Sequence, residues 1–180
     1  MPSKTPFGPR FLIIKGVTVQ PEVRDDLHDR GIVFEEMECD PQLADTAAFC
    51  EAYDIPLENS ANAILVASRK PEGHHAVCVV LATDRLDVNG TVRRKLGVRK
   101  VSFAPAELTK ELTGQEIGGV TIFGLPDGMP VWIDQAVMER DWVVVGAGSR
   151  TAKLKLDPSQ FEGLAGFEVV EGLAMAADPG

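Results

Sequence analysis

Short apolar runs separated by turn residues predict most of the strands in this chain of 180 residues. Ala63 to Ala67 and His75 to Thr83 are mainly apolar runs of the kind that forms buried strands. Pro71-Glu72-Gly73 between them predicts a hairpin turn. Further strands are predicted from β-branched or alternating patterns, at residues 11–15, 33–39, 101–103, 130–133, 142–145, 152–156 and 167–170.

Helices are predicted where proline, glycine or capping residues bound a segment with apolar residues on one face. One is expected to begin near Pro21, which is tolerated in a first turn, and to end before Gly31. Another is expected over residues 45–53, with Asp45 or Thr46 as its cap. A short basic helix over residues 89–96 is stopped by Gly97. The remaining helices are predicted at residues 105–112, at residues 135–139 and from residue 157 onward.

These elements interleave without a repeat or a linker, which predicts a single α/β (α+β) domain around a mixed sheet. The hydrophobic fraction of 44% and the charged fraction of 25% are typical of a globular domain. We expect a flexible N-terminus over residues 1–10, the domain over residues 11–172 and a frayed tail over residues 173–180. The apolar runs are too short to cross a bilayer, and residues 1–9 show no secretion signal. We therefore expect a cytoplasmic protein without a membrane partner.

The cysteines and histidines predict neither a metal site nor a cofactor. Cys39, Cys50 and Cys78 are widely spaced and contain no C-x-x-C pair, so reduced, partly buried thiols are expected. His74 and His75 would point to opposite faces of a strand. Residues 146–151 match neither a dinucleotide fingerprint nor a nucleophile elbow.

The charge is unevenly distributed along the chain. The net charge is −9, yet residues 69–100 hold eight Lys or Arg against three Asp or Glu, which is +5. A local basic patch can bind a phosphate backbone on an acidic protein. A solvated helix face is the alternative interpretation of the same residues.

A glycine-rich stretch from Thr113 to Arg150 holds seven of the 17 glycines, counting Gly128 in the turn at residues 127–128. Glycine accepts a positive φ and lets two backbone segments approach closely. The stretch therefore predicts either tight turns of a small sheet or a pocket walled by backbone N–H and C=O groups.

Several segments read together resemble the YbaK/EbsC/ProX family of aminoacyl-tRNA editing domains. The resemblance covers about residues 45–172 and depends on the order and spacing of its pieces. These are residues 80–87 (VLATDRLD), 92–97 (VRRKLG), 101–108 (VSFAPAEL), 112–114 (LTG), 118–120 (GGV), 123–124 (FG), 130–134 (PVWID), 145–148 (VGAG) and 154–156 (LKL).

The resemblance implies a single domain with a mixed, partly barrel-like sheet, flanking helices and a cleft that hydrolyses the ester of a mischarged tRNA. Such hydrolysis needs a positioned water and donors for the developing oxyanion. The implied catalytic residues are Gly118, Gly119 and Asn62. The implied substrate-binding residues are Phe123, Gly124, Asp134, Gly146, Gly148, Ser149 and Arg150. The implied contacts to the tRNA acceptor end are Arg93, Arg94, Lys95, Arg99 and Lys100, and a synthetase is a second candidate partner.

Two positions depart from the family pattern or carry an alternative role. Asn62 lies where editing members have a lysine, so a neutral amide dipole replaces a positive charge. Asn62 either aligns the substrate or is a polar residue whose hydrogen bonds are all made within the protein. Asp134 either binds the substrate amine, braces the loop or caps the helix that follows it. The sequence accordingly predicts a trans-editing deacylase, with a catalytically silent binding module and a hydrolase of another small ester as alternatives.

Overall fold

Ten strands and five α-helices make up residues 18–178, the part of the chain that the computed structural model describes. The helices are α1 (Pro21–Asp29), α2 (Thr46–Tyr53), α3 (Arg93–Leu96), α4 (Ala106–Thr113) and α5 (Gln135–Met138). The strands are β1 (Phe34–Glu38), β2 (Ala61–Lys70), β3 (His75–Leu81), β4 (Asp84–Leu86), β5 (Lys100–Phe103), β6 (Val131–Asp134), β7 (Val143–Gly146), β8 (Ala152–Leu156), β9 (Phe167–Val170) and β10 (Ala174–Ala176). Short 3₁₀ turns cover residues 41–43, 57–59 and 158–161, and a π-helical turn over Val88–Val92 leads into α3.

The strands form three sheets. The largest has the order β5-β2-β3-β6-β9 and is mixed, since β3, β6 and β9 pair in parallel while β5, β2 and β3 pair antiparallel. The second is antiparallel with the order β1-β8-β7, and the third pairs β10 with β4. A single parallel bridge between Ser60 and Val144 links the start of β2 to β7. The expected mixed α+β single domain is confirmed, and across residues 18–178 the sheets do not close into a barrel.

The apolar run of β3 is explained by burial on both of its faces. Val77, Val79 and Leu81 point into the main core, which also takes side chains from β6, β7, β8 and α1. Ala76, Cys78 and Val80 point into a second core under α3. A strand covered on both faces has no reason to alternate with polar residues.

Most predicted elements are confirmed, including the β2–β3 hairpin and the basic helix that ends at Gly97 with φ +67°. Within the tail expected to be frayed, residues 173–176 contain a buried residue and a paired strand. Leu173 is fully buried, and β10 pairs with β4, two short strands that the sequence pattern did not predict. The strand predicted at residues 11–15 and the flexible N-terminus over residues 1–10 lie outside the described residues, as do residues 179–180. None of the helices in the described part is long and apolar enough to cross a membrane.

Candidate functional site

A cavity of about 210 Å³ lies where the two larger sheets meet. Its walls come from the start of β2, the N-terminal half of α2, β7, β8 and the loop before Val120. The lining residues are Ala44, Asp45, Thr46, Phe49, Ser60, Ala61, Asn62, Ala63, Ile117, Gly118, Val120, Val144, Val145, Gly146 and Lys153. The predicted catalytic residues Asn62 and Gly118 therefore share one cavity with Gly146.

Glycines let the loop at residues 118–120 lie directly against β7. A Cβ atom on Gly146 would be only 2.3 Å from the Val120 carbonyl oxygen, and one on Gly119 would be 2.2 Å from the Ser149 carbonyl oxygen. The Gly148 N–H also donates to the Gly119 carbonyl, at 2.6 Å. This contact between two backbones forms one wall of the cavity and requires residues without side chains.

Gly118 and Gly119 have different surroundings although they are neighbours. Gly118 lines the cavity, and its carbonyl accepts a hydrogen bond of 2.7 Å from Lys153 Nζ. Gly119 is not among the lining residues, and its N–H donates to the Glu116 carbonyl at 2.9 Å. Only Gly118 thus presents its backbone to a ligand, while Gly119 holds the loop against the 148–149 turn.

Asn62 is the first polar side chain of β2 and is held by α2. The Thr46 hydroxyl donates to Asn62 Oδ1, at 2.5 Å. Because the amide oxygen is used in this way, the two N–H groups of Nδ2 are the donors that Asn62 can offer to a bound molecule.

Lys153 is a cavity residue that the sequence pattern did not single out. Its side chain leaves β8, is only 7% exposed and donates from Nζ to the carbonyls of Ala44 (3.0 Å) and Gly118 (2.7 Å). Nζ also lies 5.5 Å from the centre of the Phe49 ring. Burial is the largest influence on the Lys153 pKa and lowers it from the ordinary value of 10.5.

Arg150 lies beside the cavity and makes the same kind of link as Lys153. Its guanidinium donates to the carbonyls of Ile117 and Pro41, each at 2.8 Å. Both cations therefore tie the 117–118 segment to the 41–44 segment, through backbone oxygens. Arg150 Nη1 is also 3.9 Å from Asp45 Oδ1. The Asp45 side chain is 78% exposed at the rim, and it makes no capping hydrogen bond to α2.

Several predicted substrate-binding residues are not among the lining residues. Phe123 is fully buried in the main core, where its ring packs near those of Phe161 and Phe167. Gly124 lies against α1, with its N–H donating to Asp26 at 2.9 Å. The Ser149 hydroxyl donates to the backbone carbonyl of Thr18.

Asp134 has the capping role that was one of its predicted alternatives. Its Oδ2 accepts from the Ala136 N–H at the start of α5 (3.0 Å), and its Oδ1 accepts from the Ala174 N–H of β10 (2.9 Å). The carboxylate is 5% exposed and is not among the residues that line the cavity. The acidic group at the cavity is Asp45 instead.

The basic segment forms a second, open groove at the far end of β2. It is lined by Arg69, Asn89, Arg93, Arg99, Lys100, Val101 and Ser102, with a volume of about 570 Å³. Arg94 and Lys95 lie outside its lining; Arg94 contacts Thr91, and Lys95 forms an ion pair of 2.6 Å with Glu168. Asn62 and Arg69 are seven positions apart on β2, which is about 23 Å at roughly 3.3 Å per residue.

Comparisons with known proteins identify a family whose domain covers the cavity. A family model for the aminoacyl-tRNA editing domain matches residues 40–164, a range that contains every lining residue of the cavity. Over 110 residues the chain is 29% identical to the uncharacterized protein YwhH of Bacillus subtilis (strain 168), covering 61% of this chain and 68% of YwhH.

Several solved structures share the fold. The hypothetical protein APE2540 superposes with a TM-score of 0.76 at 21% identity, covering 86% of this chain and 99% of that one. A structure described as a candidate trans-editing enzyme for prolyl tRNA synthetase has a TM-score of 0.71 at 22% identity, covering 86% and 98%.

Proposed function

Because the chain belongs to the aminoacyl-tRNA editing domain family, we propose that it is a trans-editing deacylase. It hydrolyses the ester that joins a wrong amino acid to tRNA in the cytoplasm. The observation that carries the proposal is the cavity inside the family match, walled on one side by the backbone of residues 118–120. A cavity of about 210 Å³ fits one small aminoacyl group.

The reaction needs positioning more than acid or base strength. A water oxygen adds to the ester carbon, the bond from that carbon to the ribose oxygen breaks, and a water proton passes to the ribose oxygen. The Gly118 carbonyl has a second lone pair beyond the one that accepts from Lys153, and this lone pair orients the water. Asn62 Nδ2 donates to the ester oxygen as negative charge develops on it.

Asp45 supplies a carboxylate that binds the positively charged α-ammonium group of an aminoacyl ester. Every such ester carries an α-ammonium group, and Asp45 is the carboxylate among the lining residues. Its position at the exposed rim suits a group next to the ribose, since the tRNA must remain outside the cavity. Acetylation of the α-amine is expected to slow deacylation by the wild type and to have little effect in the Asp45→Asn variant.

The basic groove holds the tRNA farther from its aminoacyl end. Arg69, Arg93, Arg99 and Lys100 line it, about 23 Å from Asn62 along β2, a span of several nucleotides. The double variant Arg99→Glu with Lys100→Glu is expected to weaken tRNA binding and to make it less dependent on salt, with the log–log slope falling by about two. The control is Lys110→Glu on α4, an exposed lysine outside the groove.

The test is deacylation of a panel of mischarged tRNAs by the wild type and by Asn62→Ala, with the exposed Gln135→Ala as the control for loss of an amide. The wild type is expected to release one amino acid rapidly, Asn62→Ala to lower the rate at least about tenfold, and Gln135→Ala to match the wild type. Absence of turnover on every tRNA contradicts the proposal.

The alternative is a catalytically silent module that binds tRNA, an aminoacyl group or a synthetase. It is favoured by one observation, the neutral Asn62 where editing members have a lysine. The silent module predicts tRNA binding through the groove without release of any amino acid. Hydrolysis of any member of the panel excludes it.

A further inference from the structure

Lys153 is a buried cation whose hydrogen bonds go to backbone carbonyls and not to a carboxylate. Among residues 18–178 it forms no ion pair, and its hydrogen bonds go to two backbone carbonyls. An ammonium group has three N–H donors, so one remains for a group in the cavity. A buried charge that lacks a full set of partners is costly unless a ligand supplies the missing acceptor.

Most of the buried cavity wall around Lys153 is apolar, with Ser60 as a buried polar exception. Phe49 and Val144 are each 1% exposed and Val145 is 3% exposed. The tRNA must stay at the open rim, so the amino acid's own side chain extends toward this buried wall. That side chain therefore meets small apolar surfaces and one ammonium group.

We propose that Lys153 selects the amino acid: the site accepts a short side chain that ends in an oxygen acceptor and rejects an aliphatic one of the same size. This inference rests on the proposed deacylase function and adds the class of amino acid to it. An oxygen acceptor completes the hydrogen bonds of Lys153. An aliphatic side chain leaves the ammonium unsatisfied, and sites built to hydrogen-bond a substrate reject analogues that lack the polar group.

Other polar atoms on the wall support the same class. Thr46 and Ser60, which carry hydroxyl groups, line the cavity together with Asn62. The Thr46 hydroxyl, which donates to Asn62, still has lone pairs that can accept a hydrogen bond. A side chain that both donates and accepts, such as serine or threonine, uses both kinds of partner, whereas aspartate uses the donors only.

The first experiment compares one tRNA charged with serine, threonine, aspartate, alanine or valine. The wild type is expected to release the oxygen-bearing amino acids at least about a hundredfold faster than alanine or valine. The Lys153→Met variant keeps the length of the side chain and is expected to reduce that ratio at least about tenfold. Lys155→Met is the matched control, because it removes the same charge two residues along the same face of β8 and does not line the cavity.

The second experiment does not depend on turnover. Adenosine carrying each amino acid through a stable 3′-amide is titrated into the same three proteins by calorimetry. Wild type and Lys155→Met are expected to prefer the serine, threonine or aspartate compound over the alanine compound at least about tenfold, and Lys153→Met to lose the preference. Which of the three binds best distinguishes a hydroxyl from a carboxylate ligand.

The outcomes separate the two proposals. Turnover that favours alanine or valine, a preference unchanged in Lys153→Met, or binding of none of the compounds overturns the role of Lys153. No turnover together with a Lys153-dependent binding preference overturns the deacylase and retains the selecting role.

Discussion

The contact between Gly146 and the 119–120 backbone allows a quantitative prediction for Gly146→Ala. The new Cβ atom would lie 2.3 Å from the Val120 carbonyl oxygen and 2.6 Å from the Gly119 carbonyl oxygen. Ordinary contact begins near 3.4 Å, so loop and strand must separate by about 1 Å. Neither obstacle is a flexible side chain, and the loop is itself fixed by the Gly148 N–H, which donates to the Gly119 carbonyl at 2.6 Å.

The expected cost is the sum of two effects. Forcing an extra carbon into a packed site costs about 1–3 kcal/mol, and weakening the Gly148–Gly119 hydrogen bond adds about 1 kcal/mol. Gly146→Ala should therefore lower the free energy of unfolding by roughly 2–4 kcal/mol. For a chain of this length each kcal/mol shifts Tm by about 2–4 °C, so Tm should fall by about 4–16 °C.

Thermal and urea unfolding measure this effect, with Gly31→Ala as the reference variant. Gly31 has φ +68°, and a Cβ atom added there would have no atom within 4 Å, so alanine costs only the left-handed backbone strain of roughly 1–2 kcal/mol. Gly146→Ala should also lose deacylation, because the displaced loop carries Gly118, whereas Gly31→Ala should keep it. If Gly146→Ala is no less stable than Gly31→Ala, the close backbone contact is not what shapes the cavity wall.

Three further predictions concern groups with a shifted pKa. The wild type should gain stability relative to Lys153→Met as the pH rises from 7 toward 10, because the unfolded state keeps the Lys153 proton to higher pH than the folded state does. Curves of unfolding free energy against pH that run parallel for the two proteins would contradict this. Asp87→Ala should lower the free energy of unfolding by about 1 kcal/mol near neutral pH, because Asp87 accepts hydrogen bonds from the Thr91 and Gly90 N–H groups. The Thr91 N–H, followed by the Thr91 hydroxyl and the Gly90 N–H, lowers the pKa of Asp87 below 3.8. In urea unfolding that difference should begin to shrink as the pH falls below about 4 and should be lost as the pH falls through the lowered pKa of the folded state, below which the carboxylate is protonated in both states; a difference constant down to pH 2 would argue against it. Burial raises the pKa of the Cys78 thiol to about 12, so it should react with a thiol reagent at pH 8 only after unfolding, as followed by absorbance; prompt labelling of the native protein would show that β3 is accessible.

Much of the fold follows from local sequence because its central elements have clear local signals. The β2–β3 hairpin has two apolar runs around a proline and glycine turn, and the basic helix ends at a glycine that adopts positive φ. The β4–β10 pair lacks such a signal. Beyond the pairing itself, β10 is contacted by Asp134, whose carboxylate accepts from the Ala174 N–H 40 residues away. A pairing of three residues on each strand, with an additional contact from a distant side chain, is too short to leave a periodic pattern in either strand.

The candidate site was predicted less well than the fold, because glycine spacing does not tell which glycine faces a ligand. Gly118 and Gly146 line the cavity, whereas Gly124 serves the packing of α1 and Gly148 lies against Gln20 and Val23. All four glycines give the same local signal, which is a backbone that approaches another group closely. Whether that group is a ligand or another part of the chain depends on contacts far away in sequence.

Lys153 is a cavity residue that the local sequence pattern does not reveal. In the run Ala152 to Leu156 the apolar residues alternate with Lys153 and Lys155, a pattern that predicts an exposed face for both lysines. The face is instead covered by α2 and the 117–120 loop at Lys153, so its ammonium lies among backbone carbonyls near Phe49. At Lys155 the cover is the Trp142 side chain, with Nζ 4.3 Å from the ring centre, and this residue stays partly exposed. Two lysines with the same local pattern thus have different environments, and the difference arises from segments 35 and 109 residues away. A charged residue on an amphipathic strand is consequently a candidate site residue whenever the fold places a helix and a glycine-rich loop over the strand's polar face.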